Sequence, residues 1–212
     1  GSTFLCNLLN SHSLITCHEE ILDPNSLRNP HFNKFLTNDQ NKRFIYKYVS
    51  EHNVYKFLKK NYDDCNTPVF GLKIMHSHIN IHYPYIIDFL YSNNFKIIYL
   101  KRINILKQSI SRFRSEQKKI WISTNDVQEH DKYLTVDIDD ILHKINSINI
   151  EYKDLHNKLK HNHYHMVIYE SLQKHLNRTI NEICDYLNIE TELLHSNLIK
   201  IMPENISHYI CN

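Results

Sequence analysis

Two apolar periods alternate along the chain and outline its elements. After Gly1, Ser2 and Thr3, the residues Phe4, Leu5, Leu8 and Leu9 recur at helical spacing with one buried face. Leu14 to Thr16 reads as a short strand, with His18, Glu19 and Glu20 at its end. Residues 23 to 48 carry Pro24, Pro30 and many asparagines and read as a loop with short helical pieces, a place for a substrate-facing lid. From Ser50 to Tyr62, Val54, Phe57 and Leu58 fall at helical spacing. Pro68 closes that connection before VFGLKIM, a compact apolar run of the kind found in buried strands. Residues 83 to 92 return to helix. Phe95 to Leu100 is the clearest buried strand, and its short apolar form suits a parallel sheet covered on both faces.

Asn104 is placed to cap the next helix, in which Ile105, Leu106, Ser109, Ile110 and Phe113 share one side. Between 137 and 160, Ile138, Ile141, Leu142, Ile145, Ile148, Tyr152, Leu155 and Leu159 mark a long amphipathic helix. HMVIYESL predicts a last strand turning into a loop, and Leu176 to Leu187 a helix with Ile180, Ile183 and Cys184 inside. The tail beyond Thr191 reads as helical, then irregular after Pro203. Strands alternating with helices predict an α/β fold with a mainly parallel sheet. Ligands of such sheets sit at the carboxyl ends of the strands.

Composition narrows the picture. At 212 residues without a Gly/Ser linker, the chain fits one domain spanning 1–212. It contains only two glycines, Gly1 and Gly71, so each is expected where the backbone does something particular. A net charge of +2 and the lack of a basic stripe argue against nucleic acid as a partner. The five cysteines form no CxxC pair and are odd in number, so buried free thiols are expected rather than a disulfide framework. No apolar run has the length of a membrane span and no signal peptide is visible. The chain opens at the glycine of a turn, without a methionine and without the strand that normally feeds such a loop. It therefore reads as N-terminally truncated.

Two places carry chemistry. The first amides of a helix lack intrahelical partners and sit at the positive end of its dipole, so an oxyanion satisfies them. Gly1 lets a bulky anion approach, while Ser2 and Thr3 add hydroxyl donors; the same residues also suit an ordinary capped helix. Arg102 stands between a strand and the helix that follows, a second phosphate-type site. Both fall at strand-to-helix junctions of one predicted sheet, and a ligand with two anionic ends would join them.

On these residues the sequence resembles the sulfotransferases that use 3'-phosphoadenosine 5'-phosphosulfate, in the carbohydrate branch with the trehalose and Nod-factor sulfotransferases. Gly1, Ser2 and Thr3 are similar to that family's loop for the 5'-phosphosulfate, although the basic residue expected before the glycine is outside this sequence. Arg102, Gln108 and Ser111 resemble its 3'-phosphate motif, with Ser109 as the fallback for Ser111. CHEEIL, VFGLKIM and IYESL are similar to further family segments, and SEQKKIW carries Gln117 and Trp121 with Lys119 in place of a glycine.

The resemblance implies a P-loop-like three-layer sandwich, a mainly parallel central sheet flanked by helices, with the first strand truncated. It also implies sulfuryl transfer to a hydroxyl, most naturally of a carbohydrate. Glu20 aligns with the family's base, with Glu19 as competitor, and a carboxylate there would accept the acceptor's proton. Lys73 resembles a lysine that contacts the transferring group. Tyr169 and Glu170 read as structural, tying the last strand to the nucleotide site, and Trp121 as either core or a stacking platform. His161, His163 and His165, or His76 and His78, have same-face strand spacing, but without a carboxylate or Cys in register no metal is expected.

Two rivals stay open. A nucleoside-triphosphate kinase or NTPase would need a Gly-Lys-Ser/Thr loop, and the chain contains no Gly-Lys pair. A non-catalytic relative binding nucleotide or a partner is the other. A cytoplasmic location is expected, with the Golgi lumen open if an anchor precedes the chain, and assembly into a homo-oligomer is a further open expectation.

Overall fold

The computed structural model of the chain describes residues 1–23, 50–118 and 134–198. All but the first residue of the expected lid, Trp121, Lys119 and the segment after Pro203 lie outside them. The described elements are α1 (Ser2–Leu9), β1 (Ile15–His18), α2 (Glu51–Asp63), β2 (Val69–Leu72), α3 (His76–Ile81) and α4 (Ile86–Ser92). They continue with β3 (Ile97–Lys101), α5 (Ile105–Lys118), α6 (Ile138–Leu159), β4 (Tyr164–Ile168), α7 (Tyr169–Lys174) and α8 (Leu176–Leu187).

Local chemistry explains several boundaries. The Ser50 hydroxyl accepts from the Asn53 amide at 3.3 Å, and Asp137 Oδ1 from the Asp139 amide at 2.9 Å, so α2 and α6 begin on side-chain caps. Asn104 caps α5 as expected, accepting from the Lys107 amide at 2.9 Å. Asn188, at φ 62°, ends α8 in the left-handed conformation that asparagine tolerates.

The chain is a mixed α/β fold in which short parallel ladders are flanked by helices. β1 pairs with β2, setting Ile15 against Val69 and Cys17 against Gly71. β3 pairs with β4, setting Ile97 against Tyr164 and Lys101 against Ile168. Among the described residues the hydrogen-bonded ladders are two separate pairs, rather than the single central sheet expected. Apolar packing joins them instead: one cluster takes Leu5, Leu8 and Leu9 from α1, Ile15 and Val69 from the first pair, Ile98, Leu100 and Val167 from the second, and Ile180 and Ile183 from α8. Leu8 and Ile183 are sealed from solvent, and truncating such a side chain to alanine costs about 2–5 kcal/mol. A second cluster packs Val54, Phe57 and Leu58 of α2 on Ile79, Tyr83 and Ile86, and a third packs Ile110 and Phe113 of α5 on Ile141 of α6.

Three expectations are corrected. His76 and His78 are not on a strand: they begin α3, where their two-residue spacing no longer shares a face. IYESL does not turn into a loop, since Tyr169 starts α7. Residues 191–198 are not helical. They run without regular structure along the N-terminal elements and meet them polar group to polar group. Glu192 accepts from the Ser13 amide at 2.9 Å and from its hydroxyl, the Glu190 carbonyl contacts His12 Nε2 at 2.9 Å, and the His195 amide donates to the Ser11 hydroxyl at 3.0 Å. The Ser11 hydroxyl thus takes the His195 amide, which an intrahelical carbonyl would otherwise take.

Gly71 also departs from expectation, because its φ is not positive and an added Cβ would make only ordinary contact, 3.5 Å from Cys17 Sγ. Gly1 does fulfil it. A Cβ there would lie 2.4 Å from Tyr169 Cδ2, too close for any side chain without displacing the ring.

Candidate active site

The start of α1 is bare. Gly1 is its N-cap and offers no side chain, so no side chain caps the first amides, and Ser2 and Thr3 are the first helical residues. Ser2 Oγ faces Met75 Sδ at 3.9 Å, and the Thr3 hydroxyl accepts from Lys73 Nζ at 2.9 Å.

Lys73 follows β2 directly, its amide bonded to the His18 carbonyl at 2.9 Å. That bond extends the β1–β2 ladder by one step and brings the two strand ends together. Its ammonium therefore meets the carboxylates beyond β1: Glu20 Oε1 at 2.8 Å and Glu19 Oε2 at 3.9 Å. With its side chain only 8% exposed, Lys73 links the hydroxyl of α1 to the Glu20 carboxylate through one largely dehydrated charge.

On the far side of Glu20, Oε2 lies 3.8 Å from His78 Nε2, which is 3.9 Å from Asp23 Oδ1. Burial holds the His78 imidazole below its usual value despite the pull of Asp23 and Glu20. The ligand atoms of Glu20, Asp23 and His78 fall within 4.8 Å of one another. Lys73 already supplies a cation to that carboxylate.

Arg102 stands at the β3–α5 junction. Its guanidinium lies 4.0 Å from the centre of the Tyr169 ring, and the edge of the same ring touches Gly1. One aromatic side chain thus lies between Gly1 and Arg102. The Arg102 amide donates to Tyr152 Oη at 3.0 Å, and Tyr152 Oη donates to Gln108 Oε1 at 2.6 Å. Glu170 takes the amides of Ile103 and Asn104, each at 3.0 Å. Burial raises its carboxyl, but those two hydrogen bonds and Arg102 more than offset it, leaving the group below the usual carboxylate range.

Gly1, Ser2, Thr3, Glu20, Lys73, Arg102, Gln108 and Ser111 all line one cleft. Ser109 does not. It is fully buried and its hydroxyl donates back to the Ile105 carbonyl at 2.9 Å, so the fallback for Ser111 is withdrawn. Tyr169, read from the sequence as structural, packs between Gly1 and the Arg102 guanidinium, contacts that no local sequence signal marks. His76 also borders the cleft, bonded through Nε2 to Asp154 Oδ2 at 2.7 Å.

The sequence model of the family described as Stf0 sulphotransferase matches residues 1–207. No curated protein matches the chain in sequence. Among solved structures, the fold is similar to the crystal structure of a sulfotransferase from Alicyclobacillus acidocaldarius, with a TM-score of 0.52 at 12% identity. That likeness covers 96% of this chain and 83% of the other, and at this identity it concerns the fold.

Proposed function

Because the chain belongs to the Stf0 sulphotransferase family and so transfers sulfuryl groups, we propose that its donor is 3'-phosphoadenosine 5'-phosphosulfate and its acceptor a carbohydrate hydroxyl. The observation that carries this reading is the Lys73 ammonium held between Thr3 Oγ1 and Glu20 Oε1, which brings an anion-binding helix start and a carboxylate base to one point.

The chain's groups fit such a donor. The 3'- and 5'-oxygens of a nucleotide stand a ribose width apart, and Gly1 and Arg102 stand one phenol ring apart. With the Ile103 and Asn104 amides taken by Glu170, a 3'-phosphate would be held by the Arg102 guanidinium and Ser111 rather than by that turn's backbone. When bound, the donor supplies an activated sulfuryl group on a phosphate leaving oxygen.

The residues then act by position and charge. Ser2, Thr3 and the amides opening α1 hold the sulfonate in line with the acceptor. Glu20 takes the acceptor's proton on Oε2, the carboxylate oxygen not engaged by Lys73. Lys73, already desolvated, neutralises charge on the oxygen that leaves. Labelled-sulfate transfer tests the assignment: Glu20→Gln should keep affinity for 3'-phosphoadenosine 5'-phosphate and lose transfer. Wild-type rates in Glu20→Gln would remove Glu20 from the mechanism, and stabilisation by ATP alone would remove the donor.

A further inference from the structure

Cys6 on α1 and Cys17 on β1 face each other across the cleft's floor. Their sulfurs are 3.1 Å apart, and Cys6 Sγ is 3.4 Å from the Cys17 carbonyl oxygen. Both residues line the cleft; Cys6 is buried and Cys17 half-buried. Cys17 stands opposite Gly71 in the β1–β2 ladder, where the missing side chain leaves its sulfur room to turn.

We propose that Cys6 and Cys17 form a redox-modifiable dithiol whose oxidation by a peroxide closes a disulfide and shuts down sulfuryl transfer. A disulfide requires an S–S distance of about 2.05 Å, so the sulfurs need to approach by about 1 Å. The hydrogen bond from Cys17 keeps the Cys6 thiol below its usual value, while that bond and burial push Cys17 up, which makes Cys6 the attacking sulfur. Cys6 thiolate attacks one peroxide oxygen, breaking the O–O bond and giving a sulfenic acid and hydroxide. Cys17 sulfur then displaces the sulfenic oxygen, its proton leaving with that oxygen as water. The two sulfurs give up two electrons, and the peroxide ends as one water and one hydroxide, the latter taking up the proton released when the Cys6 thiol ionised.

Cys6 lies one turn after Ser2 and Thr3, and Cys17 just before Glu19 and Glu20. Drawing α1 onto β1 displaces the Thr3 hydroxyl relative to Lys73, and a 1 Å misplacement of a positioning group costs about a hundredfold in rate. The effect on transfer rests on the site proposed above; the disulfide itself does not.

The test treats the full chain with hydrogen peroxide, quenches with catalase, and follows labelled-sulfate transfer beside mass mapping. Cys6 and Cys17 share the tryptic peptide that ends at Arg28, with no Lys or Arg between them. That peptide should lose the mass of two hydrogens, transfer should fall about a hundredfold, and dithiothreitol should restore both. Cys17→Ser should resist inactivation and Cys65→Ser should not, with Cys6→Ala as a second resistant variant. An unchanged peptide, equal inactivation of Cys17→Ser, or a linked peptide with undiminished transfer overturns the proposal. If the reduced chain transfers no sulfate, the donor assignment fails alone, and peptide mass still decides whether the disulfide forms.

Discussion

Replacing Lys73 with methionine isolates one charge. The apolar stem of Lys73 is buried and methionine matches its length, so the packing around β2 is kept while the ammonium is removed. Three contacts disappear, to Thr3 Oγ1 at 2.9 Å, to Glu20 Oε1 at 2.8 Å and, more distantly, to Glu19 Oε2 at 3.9 Å. Hydrogen bonds to charged groups contribute about 1.5–3 kcal/mol each, but much of that is exchanged for water in the free enzyme. What water cannot replace is a fixed cation beside the leaving oxygen. Removing one preorganised donor of that kind costs about 10²–10³ in kcat, or about 2.7–4 kcal/mol. The expected result in steady-state labelled-sulfate assays is a kcat loss in that range. Donor KM should rise less, because the proposed anchors Ser2 and Arg102 are unchanged. Circular dichroism confirms that the variant is folded. A folded Lys73→Met within about threefold of wild-type kcat would refute electrostatic participation by Lys73, since that ratio is under 1 kcal/mol.

Further outcomes follow from the same geometry. Gly1→Ala places a Cβ 2.4 Å from the Tyr169 ring and should weaken binding of 3'-phosphoadenosine 5'-phosphate, whereas adding Tyr169→Leu should recover part of the loss; calorimetric titration measures both. Arg102→Ala should weaken that ligand by about 10–100-fold, from the loss of charge-assisted hydrogen bonds, while leaving adenosine 5'-monophosphate nearly unchanged. Arg102→Lys should rescue poorly, since an ammonium does not stack on Tyr169 as a guanidinium does. Glu170 is depressed in the fold, so its contribution is present above the unfolded carboxylate range near pH 4.3 and is lost as pH falls through the lower folded value. Thermal melts across acid pH should therefore show a shallower decline for Glu170→Gln than for wild type.

The sequence exposed the parts of the fold that follow from periodicity. Asp137 and the apolar stripe to Leu159 mark α6 within one residue of each end, and Leu176 to Leu187 matches α8. α3 was hidden because six residues cannot display a helical repeat, and its alternating histidines imitate a strand. The unwound segment from 191 to 198 was hidden because its partners, His12 and Ser13, lie at the other end of the chain. For the site, helix starts pointed to Thr3 and Arg102 and the family resemblance to Lys73 and Glu20, but only the fold shows that Lys73 joins Thr3 to Glu20. Ser109 was readable in advance, since it shares a helix side with Ile110 and Phe113 and is buried with them. Tyr169 was not, because its contacts with Gly1 and Arg102 are tertiary.

The contacts of residues 190–196 with α1 and the turn after it bear on the order of folding. His12, Ser13, Ser11 and Asn7 meet partners 178 to 189 positions away in sequence. Contacts between such distant positions close the longest loops, whose entropic cost is met late, so α1 gains this outer support after its own helical bonds have formed.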